Sequence, residues 1–232
     1  MGLRPRDGNM YKFITHSWNT VKGQCFHDCS YCYMKAENRV LGETKLDETE
    51  FKTDLLSDLF IFVGSGTDLF ARNIPKEWIE RTLNHCYDAN NTLFGATNKY
   101  LFQSKNPKRI LDFIEHPVFK QSVLCTTIET NRFYEEHMCY APRIEARVSA
   151  MEEINKLGFD TYVTIEPIMD FDLEELVELI KRCNPKQVNI GKNSKEEIIK
   201  LPHPTANKTK QLIIELRKFT EVDIKDNLKK KK

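Results

Sequence analysis

A chain of 232 residues can bury one sizeable core, and its 40% hydrophobic and 30% charged content is that of an ordinary globular domain. A net charge of +1 excludes a strong global field, so contact with a polyanion has to come from a local patch. The opening MGLRPRDGNMYK holds no apolar signal core, Arg6 stands where a myristoylation signal needs Ser or Thr, and no run of about 18 apolar residues follows; a cytoplasmic protein that makes no membrane contact is expected.

The first run of strand character is KFITHSW (12–18), and QCFHDCSYCYMKA (24–36) follows it. That second stretch sets Cys25, Cys29 and Cys32 within eight positions. The cytosol keeps thiols reduced, so the seven cysteines need an account without disulfides. Cys86, Cys125, Cys139 and Cys183 are scattered singly; Cys86 and Cys125 read as small buried hydrophobes. Three readings compete for the clustered trio. Structural zinc wants four ligands, usually as two separated pairs, and the only near fourth is His27, squeezed between Cys25 and Cys29. A ferredoxin-type cluster wants four cysteines, and no plausible fourth follows. In the third reading the trio holds three irons of a [4Fe-4S] cluster and leaves the fourth iron open.

Next come the strand LFIFVG (59–64), the glycine turn GSGTDLF and a helical pattern from Pro75. YLFQS (100–104) leads to Lys105 and a helix from Pro107, and SVLCTTI (122–128) leads to Glu129 and Asn131. Cys139 lies on an expected loop before a helix from Pro142 that carries Arg143 and Arg147. TYVTIEP (161–167) ends at Glu166, a helix starts at Leu173, QVNIG (187–191) precedes Lys192, and a last helix starts at Lys208. Prolines near helix starts and Gly158 after one helix are the expected punctuation. Strand–helix alternation predicts a parallel α/β sheet. With no repeat and no Gly/Ser linker, one domain is expected over residues 1–224, and KDNLKKKK (225–232) reads as a basic, disordered tail.

Cys25, Cys29, Tyr31 and Cys32 fill every position of C-x3-C-x-aromatic-C, and in this the chain resembles the radical S-adenosylmethionine (SAM) superfamily. The resemblance implies a partial (β/α)6 TIM barrel with the cluster loop after its first strand. It further implies an open iron that chelates SAM, reductive cleavage to a 5′-deoxyadenosyl radical, and an external electron donor such as flavodoxin or ferredoxin. Chemistry in such barrels gathers at strand C-termini. There Gly64 and Gly66 let backbone approach a ligand, while Ser65, Thr67 and Asp68 can accept from the SAM ammonium. Lys105 suits the SAM carboxylate as a point charge, with Arg143 and Arg147 as further candidates. Glu129 or Asn131 suits the ribose hydroxyls, Glu166 can point only to the barrel mouth or a buried partner, and Asn189 and Lys192 are further candidates after the sixth strand.

CSYCYMK is similar to the cluster loop of spore photoproduct lyase, a DNA-repair member of that superfamily, in which a lysine after the third strand binds SAM. Where that enzyme carries its hydrogen-donor cysteine, this chain has Gly64 and Ser65. Tyr33 and Cys139 are the residues here that could relay a hydrogen atom, as Tyr and Cys do in the lyase. THSWNTVKGQC, FVGSGTDLF and IEPIM resemble a phage-associated radical SAM family without an assigned substrate. These resemblances favour a nucleic acid or nucleoside as substrate over a small metabolite or a partner protein. An iron–sulfur sensor or electron carrier without SAM chemistry is the contrasting class.

Overall fold

The computed structural model describes residues 2–35, 41–91 and 97–229. Its strands are β1 (Arg4–Pro5), β2 (His16–Trp18), β3 (Val21–Lys22), β4 (Lys45–Leu46), β5 (Phe60–Val63), β6 (Lys99–Gln103), β7 (Ser122–Thr127), β8 (Asp160–Ile165), β9 (Gln187–Ile190) and β10 (Glu221–Ile224). Its helices are α1 (Lys76–Asn90), α2 (Lys108–Leu111), α3 (Glu135–Met138), α4 (Ile144–Lys156), α5 (Leu173–Cys183), α6 (Ala206–Leu216) and α7 (Asp226–Lys229). One sheet runs β1-β2-β5-β6-β7-β8-β9-β10, and every pairing from β2 to β10 is parallel. Each of the six expected strands is there, and β10 adds a seventh parallel strand at the far edge. β3 and β4 form a separate small hairpin. Among the described residues, no helix is long and apolar enough to cross a membrane.

Strand alternation sorts side chains onto two faces. Ile61, Val63, Tyr100, Phe102, Val188 and Ile190 are fully buried on the outer face, beneath the helices. On the concave face Leu101, Val123 and Cys125 pack with Phe60, Phe62 and Tyr162 as a second cluster. The helices present matching stripes. In α5, Leu176, Val177, Ile180 and Cys183 are buried at helical spacing, each apolar side chain contributing about 1.5–3 kcal/mol. Glu174 and Glu175 sit in its first turn and Lys181 and Arg182 in its last, which suits the macrodipole, and Asn184 ends it at φ 45°. Arg182 then reaches back to Glu145 and Glu152 on α4.

The N-terminal segment departs from the expected strand KFITHSW. Only residues 16–18 pair, because residues 9–14 fold across the concave face instead. Tyr11 and Phe13 stack with ring centroids 5.5 Å apart, and Phe13 meets Tyr162 edge-on. From this strap Lys12 reaches Asp223 on β10 at 3.0 Å, and Asn9 donates to Glu166 at 3.0 Å. The strap thus bridges the first and last parallel strands of an open barrel.

The boundary expected at residue 225 falls inside the fold. Lys225 is buried; its ammonium lies 2.6 Å from Glu166 and 4.5 Å from the Tyr11 ring centre. The pairing of β10 with β9 carries the chain into the sheet there, and α7 follows. Residues 230–232 of the expected basic tail lie outside the described residues.

Candidate active site

The cluster loop leaves β3 through Gly23, whose φ of +98° an L side chain rarely adopts. A Cβ there would lie 2.2 Å from the Glu43 carbonyl oxygen. The Gly23 carbonyl accepts from the Thr67 hydroxyl at 2.8 Å, and Gln24 N donates to Gly42 O at 2.9 Å. Tight turns then follow, with Asp28 N donating to Cys25 O and Cys32 N to Cys29 O. From behind, α3 and its exit support the loop: Ser30 N donates to His137 O, and Tyr140 N to His27 O. Gly23→Ala is therefore expected to destabilise the protein by about 1–3 kcal/mol, the cost of a strained backbone position. Thermal unfolding measures that loss, and iron content after reconstitution should fall with it.

Cys25, Cys29 and Cys32 line one cavity of about 630 Å³. It also takes in the strand-end residues Gly64, Ser65, Gly66, Asp68, Lys105 and Glu166, with Tyr31 and Tyr33. All seven cysteines are free thiols. Burial, with the Asp68 charge second, pushes the Cys25 thiol up to about 12, and burial also raises Cys29. A thiol so placed ionises when a metal replaces its proton. No group of His, Cys, Asp or Glu among the described residues converges on a single ion. Three thiols along one wall suit a larger group that offers each its own iron, and this donor set fits an iron–sulfur cluster.

Asp68 is spent on the protein itself. Its carboxylate accepts from His27 Nε2 (2.8 Å), Ser104 Oγ (3.0 Å) and the Lys105 backbone N–H (2.9 Å). Burial alone would raise its pKa, but His27 and those donors outweigh burial and hold it below the ordinary carboxylate range. Thr67 also turns away: it is buried, bonded to Gly23 O and absent from the cavity wall. The segment between is held by Asn19, whose Oδ1 accepts from Gly66 N (2.8 Å) and Ser65 Oγ (3.2 Å).

Glu129 lies behind the wall, fully buried, with Lys105 and Arg147 as ion-pair partners. The Tyr31 hydroxyl donates to it at 2.5 Å, and the Lys105 ammonium donates to both Glu129 and the Tyr31 oxygen. Burial opposes its charge, but Arg147 and Lys105 outweigh burial and bring its pKa down to about 2. Arg147 donates to Thr127 O, Pro142 O and Glu129, and its buried Nη2 has no partner among the described residues. One carboxylate between two cations leaves a positive charge in excess.

The remaining expected residues divide. Tyr33 lines the mouth and donates to Ser65 O at 2.8 Å. Arg143 is exposed, stacked 3.6 Å over the Phe133 ring, and lines no part of the cavity. Cys139, at φ 48° after α3, is also absent from the cavity wall, because α3 backs the cluster loop from outside. Asn131 is taken by Asp172 and Glu175. Glu166 does face the cavity, paired with Lys225; burial raises its carboxyl despite that ion pair. A Cβ on Gly191 would stand 2.9 Å from its Oε1, so this placement needs the glycine.

Lys192, a further candidate after the sixth expected strand, lines the cavity and Asn189 does not; Asn9, Tyr11, Gln103 and residues 193–195 line it without having been anticipated. Only Gln103 left a signal, as a polar residue at a concave-face position of an apolar strand.

The family model of the radical SAM superfamily matches residues 20–183. No curated protein matches the chain in sequence. Among solved structures, it is similar to spore photoproduct lyase complexed with dinucleoside spore photoproduct: TM-score 0.67, 9% identity, covering 94% of this chain and 79% of that one. It is also similar to SuiB of Streptococcus suis, bound to S-adenosylmethionine (TM-score 0.58, 10% identity, 90% and 49% covered). A second SuiB structure, bound to the precursor peptide SuiA, gives TM-score 0.58 at 10% identity, with 89% and 48% covered.

Proposed function

Because the chain belongs to the radical SAM superfamily, we propose that Cys25, Cys29 and Cys32 hold its iron–sulfur cluster and that a nucleic acid or nucleoside enters the cavity they line. The chain is a radical SAM enzyme, and its cofactors are a [4Fe-4S] cluster and SAM. When bound, these groups supply a 5′-deoxyadenosyl radical that takes a hydrogen atom from the substrate, with the electron delivered from outside by a donor such as flavodoxin or ferredoxin. Everything else falls to the chain's own side chains.

The carrying observation is that the three thiols share one cavity with Lys105 and the Gly64–Gly66 turn at the strand ends. Lys105 answers the SAM carboxylate, since Glu129 cannot neutralise both Lys105 and Arg147. The turn pinned by Asn19 offers backbone to the SAM ammonium, while Asp68 supports the loop through His27 instead of touching ligand. Tyr33, at the mouth, is the hydrogen-relay candidate that lines the cavity. Of the two substrate kinds named for the structural neighbours, the nucleoside one is favoured. The likeness spans 79% of the lyase chain but only 48% of SuiB in its peptide complex, so about half of SuiB has no counterpart here.

Reduced, reconstituted protein given SAM should release 5′-deoxyadenosine, and the right DNA, RNA or nucleoside should stimulate that release. Lys105→Ala should lower it at least tenfold at limiting SAM through a raised KM, with iron content retained. If fully loaded wild-type protein neither binds nor cleaves SAM, this reading gives way to an iron–sulfur electron carrier.

A further inference from the structure

β9 ends at Ile190, and Gly191 turns the chain into Lys-Asn-Ser-Lys, residues 192–195. All four line the cavity, and the sheet order places β5–β8 between this loop and the cluster loop. Side chains pin its backbone. Asn227 holds Lys192 from both sides, its Oδ1 accepting from Lys192 N (3.3 Å) and its Nδ2 donating to Lys192 O (2.8 Å). Asn193, itself buried, donates to Ile199 O (2.8 Å) and accepts from Lys195 N (3.0 Å).

Among the described residues, the charges on this pinned loop have no counter-ions. The other lysines of the cavity are each paired: Lys35 with Asp28, Lys105 with Glu129 and Lys225 with Glu166. Among the described residues no carboxylate pairs with Lys192 or Lys195. Nearby Glu196 is turned to His203 at 3.5 Å, and Asp7 accepts from Gly8 N. Both lysines are only partly exposed, so solvent screens them less than it would free surface charges. Two ammonium groups and the Ser194 hydroxyl therefore offer donors and positive charge to one end of the cavity. A phosphate supplies both the negative charge and the acceptor oxygens they lack, and loops after late strands are a frequent phosphate site in α/β barrels.

We infer that Lys192, Ser194 and Lys195 bind a phosphate group of the substrate, an inference that rests on the cavity being the substrate site. The substrate is then a phosphate-bearing nucleotide, either a free 5′-monophosphate or a unit of a phosphodiester backbone, and the subsite anchors it across the cavity from the cluster cysteines.

The reconstituted holoenzyme is titrated with a fluorescein-labelled single-stranded hexadeoxynucleotide, with deoxynucleoside 5′-monophosphates and with the matching nucleosides. Phosphate-bearing probes should bind at least tenfold more tightly to wild type than to the Lys192→Ala/Lys195→Ala double variant. The salt dependence of log Kd for the oligonucleotide should flatten by about 1.4, two contacts at about 0.7 each. A Lys192→Arg/Lys195→Arg variant should retain binding, which separates charge from fold. Binding of the oligonucleotide alone assigns the phosphate to a backbone, and binding of monophosphates alone to a free nucleotide; either supports the subsite. It is overturned if wild type binds nucleosides as tightly as monophosphates and ignores the oligonucleotide, or if the alanine variant binds as wild type does. Release of 5′-deoxyadenosine from SAM by wild type without these probes tests the underlying reading separately: its loss sinks that reading, while its presence without phosphate-dependent binding sinks only the subsite.

Discussion

Anaerobic reconstitution is expected to load about four irons per chain, and replacing Cys25, Cys29 and Cys32 with alanine should bring iron to background and abolish 5′-deoxyadenosine release. The effect should be all-or-none because each thiolate would hold one iron of the cluster, and none of the other cysteines lines the cavity. Burial keeps Cys25 and Cys29 protonated when no metal competes, so cluster uptake releases protons and should weaken as pH falls. Apart from a long contact of Cys29 Sγ to Met138 O (3.8 Å), the loop is held by groups other than the thiols. Gly23, the Tyr31 hydroxyl and the backbone bonds to His137 and Tyr140 hold it, so the triple variant should keep its circular dichroism. Iron assay and electron paramagnetic resonance check the result. A folded triple variant that retains a full cluster would refute the ligand assignment.

Glu129→Ala should destabilise the fold more than any other single change to the site. It leaves Arg147 fully buried with an unpaired charge, a situation that costs about 3–5 kcal/mol and lowers Tm by roughly 10 °C in a chain of this size. Glu129→Gln should cost less, since it keeps an acceptor for Tyr31 and Arg147. Combining Glu129→Gln with Arg147→Met should recover much of the loss by removing both charges together. The carboxylate also imposes a pH dependence of known sign. Its folded pKa, about 2, lies below the ordinary unfolded value near 4.3. The stability it contributes is therefore complete above roughly pH 5 and drains away as pH falls toward 2. Acid unfolding of the wild type against Glu129→Gln isolates that contribution; identical acid limbs would mean the carboxylate is not held ionised by its neighbours.

The strands and the cluster motif were legible because both are local signals. Apolar runs such as SVLCTTI write a fully buried strand directly into the sequence, and β7 spans Ser122–Thr127 with every residue buried. The Cys25–Cys32 spacing likewise needs no tertiary information. β10 was missed because EVDI is four residues long, charged at alternate positions and only partly buried at a sheet edge. Side-chain partners were harder to read. Asp68 and Thr67 follow the right strand, but which way each turns depends on His27 and Gly23, about 40 residues away. Arg143 and Arg147 are equivalent in sequence, one helical turn apart, yet one faces solvent and the other the Glu129 carboxylate. The strap and Lys225 left no trace in local composition, since their roles arise only where the two edges of the sheet meet.

That meeting has a kinetic consequence. Asn9 and Glu166 lie 157 residues apart in the chain, and Lys12 and Asp223 lie 211 apart. Loop-closure entropy makes such contacts the slowest to form and leaves them little help from neighbours. The parallel strands can pair step by step through short βα connections, but the clasp must wait until both edges stand in place. Asn9, Tyr11, Glu166 and Lys225 all line the cavity, so its wall is expected to be completed late in folding. The Lys12–Asp223 pair is the exposed end of this clasp, and opening of the native barrel is expected to begin there. A chain built this way can hold its sheet while the seam stands ajar, and such a seam would admit a ligand to the cavity without unfolding anything else.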